Sequence, residues 1–104
     1  MLMVKNNQPE LKRQVEKLFK RGDSIQTDKQ VDAGHGRVET RICDVIDDLR
    51  FMDDKKHWEG LKSIVRVQSE RYNKKTKKTS HETRYYISSL NADAKKSNDA
   101  IRIH

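Results

Sequence analysis

"LKSIVRVQSERYNKKTKKTSHETRYYISSL", Leu61 to Leu90, decides how this chain folds. Its first part, with Ile64, Val65 and Val67 at the centre, reads as a β-strand. "KKTKKT", residues 74–79, contains no apolar side chain and reads as a solvated hairpin tip. "SHETRYYISSL" then reads as a strand returning across that tip, so the segment is an antiparallel pair.

Working back from this hairpin, Val38 to Ile46 is another strand, with Val38, Ile42 and Ile46 on one face and Cys43 and Val45 on the other. Asp44, Asp47, Asp48, Asp53 and Asp54 follow, broken by Leu49, Phe51 and Met52, as a strand end leading into a solvated turn or short helix. Residues 23–37 are polar, with Gly34 and Gly36 flanking His35, and read as a loop. "QPELKRQVEKLFKRG" carries Leu11, Val15, Leu18 and Phe19 on one helical stripe. Asn7 or Gln8 is its cap, Pro9 stands at its first position and Gly22 at its end. The opening "MLMVKN" reads as a buried strand. Forward of the hairpin, "NADAKKSNDAIRIH" is a helix capped by Asn91, with Asp93 in its first turn and Ala94, Ile101 and Ile103 on its apolar side. The expected architecture is α+β, in the order strand-helix-strand-strand-strand-helix, with a small antiparallel sheet.

With 104 residues there is room for one core. Only 33% of residues are hydrophobic and 38% are charged, so that core must be thin, which suggests partner subunits or a piece of a larger protein. The net charge of +7 favours polyanions. One cysteine, Cys43, excludes an internal disulfide and reads as a small buried hydrophobe rather than a nucleophile. No stretch has the roughly 20 apolar residues of a membrane span, and the amino terminus lacks a signal-peptide pattern, so a cytoplasmic location is expected.

Two short stretches have the residue types of an active site: "HGRVETR", His35 to Arg41, and "HETRYY", His81 to Tyr86. In each, Glu and Arg stand two apart, Glu39 with Arg41 and Glu82 with Arg84, hence on one face of a strand, with Thr40 and Thr83 pointing the other way. Were the two strands adjacent, the four charges would form a cross-strand ladder. His35, Glu39, His81 and Glu82 are metal-ligand types but lack the spacing that gathers ligands on one helix face. No serine sits in a nucleophile elbow, and "GHG" lacks the lysine and strand–turn–helix setting of a phosphate loop. The basic side has more material. Lys74, Lys75, Lys77 and Lys78 crowd the hairpin tip, suited to non-specific phosphate contact. Arg37, Arg41, Arg66 and Arg84 lie on or beside strands, where a sheet would hold them for bidentate phosphate binding.

"VKNNQPELKRQVEKLF", "DAGHGRVETRICDVIDDL", "HWEGLKSIVRVQSER" and "ETRYYISSLNADA", in this order and with these gaps, resemble the bacterial insertion-sequence transposases of the H-repeat-associated (ISAs-type) group of the DDE superfamily. The resemblance runs from Val4 to His104. It implies part of a ribonuclease-H-like domain, in which three acidic residues hold two Mg²⁺ ions for nicking and strand transfer of DNA. In that family the first two acids precede a "VKxNQ"-like element and the third follows an "IRxHWxIEN"-type motif. Here the corresponding elements are the opening "VKNNQ" and the closing "AIRIH", so the resemblance implies a segment without the catalytic acids, itself no enzyme and with no cofactor of its own. It also implies a division into residues 1–22 as strand and helix, 38–90 as a strand-rich insertion and 91–104 as a terminal helix, together one partial domain. Lys5, in "VKNNQ", and the His35–Arg41 stretch are where inherited DNA contacts are expected.

Three readings follow from these observations. The first is a truncated transposase segment with residual DNA binding, without a membrane and forming a homo-oligomer or strand-exchanged dimer through its open edges. The second is a DNA-binding or regulatory module that assembles with an intact transposase. The third is a small metal-dependent hydrolase using His35, Glu39 and His81.

Overall fold

The computed structural model describes residues 1–22, 25–49, 60–89 and 91–103, the side chains of the last two of these excepted. Seven elements follow in order: β1 (Leu2–Met3), α1 (Pro9–Arg21), β2 (Ile25–Gly34), β3 (Arg37–Ile46), β4 (Ser63–Asn73), β5 (Lys78–Ser88) and α2 (Ala94–Ile103). The strands form one antiparallel sheet in the order β1-β5-β4-β3-β2. This is an α+β fold, as the residue pattern implies, with one strand more than expected.

That strand is β2. Its residues lie in the polar stretch expected to be a loop, yet all ten pair with β3, from Ile25 opposite Ile46 to Gly34 opposite Arg37. The turn between the two strands is only His35 and Gly36, both at positive φ (50° and 77°). That is the geometry of a two-residue hairpin loop whose twist matches the flanking strands. Gly36 adopts it freely and His35 is among the few other residue types that do so at modest cost. No apolar alternation announces β2 because the side chains it turns toward the second helix are Asp28, Gln30 and Asp32.

α1 follows its sequence signals. Pro9 opens it, Gln8 stands at the cap position, and Gly22 closes it in the left-handed conformation (φ 75°). Leu11, Val15, Leu18 and Phe19 are buried against Ile46, Ile64 and Ile87, with Ile25 and Tyr85 at the margin. α2 covers the opposite face, where Ala94 packs with Cys43, Val45, Val65 and Val67, and Ile101 and Tyr86 close the edges. Asp93 rather than Asn91 caps α2, because its Oδ1 accepts the Lys96 amide hydrogen at 3.0 Å, the third helical N–H. Ile103 lies within α2, but its side chain falls outside the described residues.

Two further expectations are corrected. "MLMVKN" forms a strand of only two residues at the sheet edge, with Leu2 67% exposed, so it is a thin strip beside β5 and not a buried strand. Asp44 is buried inside β3 and ion-paired instead of belonging to a solvated turn, while Asp53 and Asp54 lie outside the described residues. Residues 1–22 and 38–90 contribute to one sheet, since β1 pairs with β5 and β2 fills the interval between α1 and β3.

Both helices sit over the half of the sheet that contains Ile46, Val65 and Ile87. From the level of Thr40, Glu70 and His81 onward, β2–β3 and β4–β5 project as two adjoining hairpins beyond the helical cover. The exposed Val31 and Tyr72 mark that change.

Candidate nucleic-acid interface

Strand parity separates the charged residues into two faces. On the α2 face, cross-strand register aligns Asp32, Glu39, Arg71 and Ser80 in one row and Gln30, Arg41, Ser69 and Glu82 in the next. β3 and β5 are therefore not neighbours. β4 lies between them, and its Arg71 bridges the two Glu–Arg repeats: Arg71 Nε donates to Glu39 Oε2 at 3.0 Å, and Arg71 Nη1 stands 3.9 Å from Glu82 Oε2. Within the repeats Arg41 Nη1 pairs with Glu39 Oε1 at 3.0 Å, and Arg84 pairs with Glu82. The cross-strand ladder exists, but sequence reading missed Arg71, the residue that makes it continuous. Its pairing opposite Glu39 is fixed by the β3–β4 register, which the sequence does not carry.

Arg41 is only 6% exposed. Its Nη2 donates to Gln30 Oε1 at 3.1 Å and lies 3.1 Å from Asp32 Oδ2, and its Nε donates to Asn98 Oδ1 at 3.3 Å. Asn98, fully buried on α2, donates through Nδ2 to the Asp28 carbonyl oxygen (3.2 Å) and to Asp28 Oδ2 (3.0 Å). Gln30 donates to Asp99 Oδ1 at 2.7 Å. A buried guanidinium demands such a full set of acceptors, and here they fasten α2 to the β2–β3 hairpin. The donors of Arg41 are thus taken up by the fold and not presented to a phosphate.

Arg66 is similarly engaged on the other face. Its Nε and Nη2 donate to Asp44 Oδ2 at 3.1 and 2.7 Å, Thr27 donates to Asp44 Oδ1 at 2.7 Å, and the guanidinium lies 4.8 Å from the centre of the Phe19 ring. This is an ion pair and a cation–π contact beside the apolar core.

Two ionisable groups show the effect of these surroundings. Partial burial raises the Glu39 pKa, but the hydrogen bonds and charges of Arg71 and Arg41 outweigh it, and the carboxyl ends below its ordinary 4.5. Burial, reinforced by the charges of Asp44 and Asp28, pushes the Cys43 thiol up to about 12, so it is protonated at neutral pH and not a nucleophile.

The trio His35, Glu39 and His81 does not converge. His81 pairs with Glu70 and therefore points to the α1 face, whereas Glu39 points to the α2 face and His35 sits in the β2–β3 turn. Among the described residues no group of three or more His, Cys, Asp or Glu is arranged to hold a metal ion. Parity alone is enough to undo the hydrolase constellation.

Five of the cations expected to contact DNA, Arg37, Lys74, Lys75, Lys77 and Lys78, collect at one end of the sheet. Gly34, Arg37, Asn73 and Lys78 stand level in the register, so both hairpins turn at the same height. The Lys74 amide donates to the Gly36 carbonyl at 2.8 Å, tying the two turns together. Asn73 Oδ1 accepts the amides of Lys75 (2.9 Å) and Thr76 (3.2 Å), which shapes the second turn, and Lys77 completes it at φ 56°. Lys74, Lys75, Lys77 and Lys78 are exposed there beside Arg37, and none of the five enters an ion pair among the described residues. Lys5 lies far from them, after β1 at the helix-covered end. No described helix is long and apolar enough to cross a membrane.

Comparison with known proteins gives two relatives. Over 113 aligned positions, covering all of this chain and 28% of the relative, it is 37% identical to a protein of Escherichia coli O157:H7 named "Putative transposase YncI". Over 63 positions, 61% of this chain and 21% of the relative, it is 40% identical to "Uncharacterized protein in dhlA 3'region" of Xanthobacter autotrophicus. The chain thus spans about a quarter of the length of the curated relatives it matches. No family model and no solved structure matches it.

Proposed function

We propose that these 104 residues are a non-catalytic, DNA-contacting segment of an insertion-sequence transposase of the DDE type. The observation that carries this reading is the end-to-end likeness to a protein named as a transposase. It agrees with the four ordered motifs that resemble the H-repeat-associated group. The net charge of +7 and the hairpin-end cations, none of them ion-paired among the described residues, support a polyanionic partner. In this reading the strand-rich part is an insertion in a ribonuclease-H-like domain, and the metal-holding acids of the parent enzyme stand outside these residues. Strand transfer and the two Mg²⁺ ions belong to the whole transposase. The segment contributes binding and positioning of DNA.

The test is a titration of a fluorescent DNA duplex with the purified chain at low and near-physiological salt, run beside a plasmid-nicking assay with Mg²⁺ or Mn²⁺. Binding that weakens as salt rises, without nicking, is expected. Absence of binding at low salt, or cleavage that His35→Ala abolishes, overturns the reading.

Among the described residues no strand pairs with the outer edge of β2, and β1 covers two residues of β5, which supports pairing between copies of the chain. A strictly monomeric sedimentation profile at high concentration would exclude that assembly.

A further inference from the structure

The blunt end of the four-stranded projection has a shape as well as a charge. We infer that the level turns of the two hairpins form one clasp for the phosphate backbone of duplex DNA, and that it seats across the backbone, not inside a groove, without reading base sequence. This rests on the DNA-contacting reading above and says which atoms make the contact and what they recognise.

Three observations carry it. First, the turns are held in register by the Lys74–Gly36 backbone bond and by the level row Gly34, Arg37, Asn73 and Lys78, so their cations form one surface rather than two independent tips. Second, Ala33 to Val38 and Asn73 to Ser80 contain no carboxylate, while the ladder just beneath alternates in sign and is internally neutralised. Within the projecting hairpins the unbalanced positive charge lies at the end. Third, four strands about 4.8 Å apart span about 14 Å between the outer axes. A major groove about 12 Å wide admits a two-stranded ribbon but not this end.

The residue types argue for backbone over bases. Four of the five cations are lysines, three on the second turn and Lys78 at the first position of β5, flexible point charges that follow a phosphate without fixing a bidentate geometry. Neither turn carries a Phe, Tyr or Trp; the ring in the first turn is the His35 imidazole, and Tyr72, one residue below the second, is on the flank of the sheet. Single-strand binding relies on successive aromatic platforms that stack one base after another, and a lone imidazole does not supply such a row.

The experiment measures the salt dependence of binding to two short fluorescent duplexes of different sequence and to one of their single strands. Counter-ion release sets a slope of log affinity against log salt of about −0.9 per phosphate, so five cations give a slope no steeper than about −4.5. Lys74→Gln with Lys75→Gln is expected to make the slope shallower by about 1.8. Lys74→Arg with Lys75→Arg keeps it, and Lys17→Gln with Lys20→Gln, which removes the same charge from α1, leaves it unchanged. The two duplexes are expected to bind alike and the single strand more weakly. If the wild-type chain binds duplex but the Lys74/Lys75 glutamine pair keeps the full slope, the clasp is wrong while the DNA-contacting reading stands. Tighter binding to the single strand, or strong preference for one duplex sequence, overturns it as well. A wild-type chain that binds neither probe removes both.

Discussion

The two ends of the sheet are made of the same strands and differ in what surrounds them. At one end Ile46, Ile64 and Ile87 lie under α1, and Cys43, Val45, Val65 and Val67 lie under α2, so both faces are dry. Toward the other end the strands continue beyond both described helices, and charge pairs replace apolar contacts: Asp32 and Glu39 with Arg41, Glu39 and Glu82 with Arg71. Between the ends, Arg41 and Asn98 convert one regime into the other, a buried polar junction where the apolar cover stops. The difference teaches that a chain only one-third hydrophobic can fold by concentrating its apolar residues at one end of long strands. Antiparallel pairing then carries the remaining length into solvent with its backbone hydrogen bonds satisfied.

Perturbing each region should expose this gradient. The largest effect is expected at the covered end, where Ile64→Ala removes a fully buried side chain from the α1 core and should cost about 3 kcal/mol in urea unfolding. A cost below that of an ordinary surface substitution would show that the core is not where stability resides. At the junction, Asn98→Ala leaves the Arg41 Nε and the Asp28 acceptors without their partner and should cost about 2 kcal/mol. Hydrogen exchange should show α2 opening before the sheet, and uniform exchange across both would remove the junction's special role.

Smaller effects are expected along the ladder. Because the folded Glu39 carboxyl lies below its ordinary 4.5, its contribution is present above that pH and is lost as pH falls from about 4.5 through the lower folded value. Glu39→Gln should therefore flatten the acid limb of the stability curve, and an unchanged limb would mean other carboxylates govern it. Cys43 tests the dry end without altering it. With its pKa at about 12, the thiol should react with a disulfide reagent at neutral pH only as fast as the protein unfolds. Least of all, Lys74→Gln with Lys75→Gln should change stability by no more than about 0.5 kcal/mol, as befits solvated turn residues, while weakening DNA binding.

Local patterns carried much of the architecture. Leu11, Val15, Leu18 and Phe19, between Pro9 and Gly22, specify α1 almost to the residue, since periodicity and end signals agree. The hairpin around residues 74–79 was legible for the same reason, as apolar strands stood on both sides of a wholly charged and polar turn. β2 was hidden because its inward side chains, Asp28, Gln30 and Asp32, answer Arg41 and α2, and their pattern has no meaning until those partners are in place. The opening "MLM" misled in the other direction, since apolar composition reports what could be buried, not whether a partner covers it.

The basic end is readable as composition, in Lys74, Lys75, Lys77 and Lys78. That Arg37 and the His35 turn stand level with those lysines could not be read, because it depends on the β3–β4 register. The two arginines that looked most like fixed phosphate ligands, Arg41 and Arg66, proved to be bound within the fold. By itself, then, the sequence determined both helices, the places of four of the five strands, the single buried thiol and the excess of positive charge, all properties of residues and near neighbours. Only the tertiary structure decided the fifth strand, which charges neutralise one another and which remain free, because strand pairing brings together residues such as Glu39, Arg71 and Glu82 that are remote along the chain.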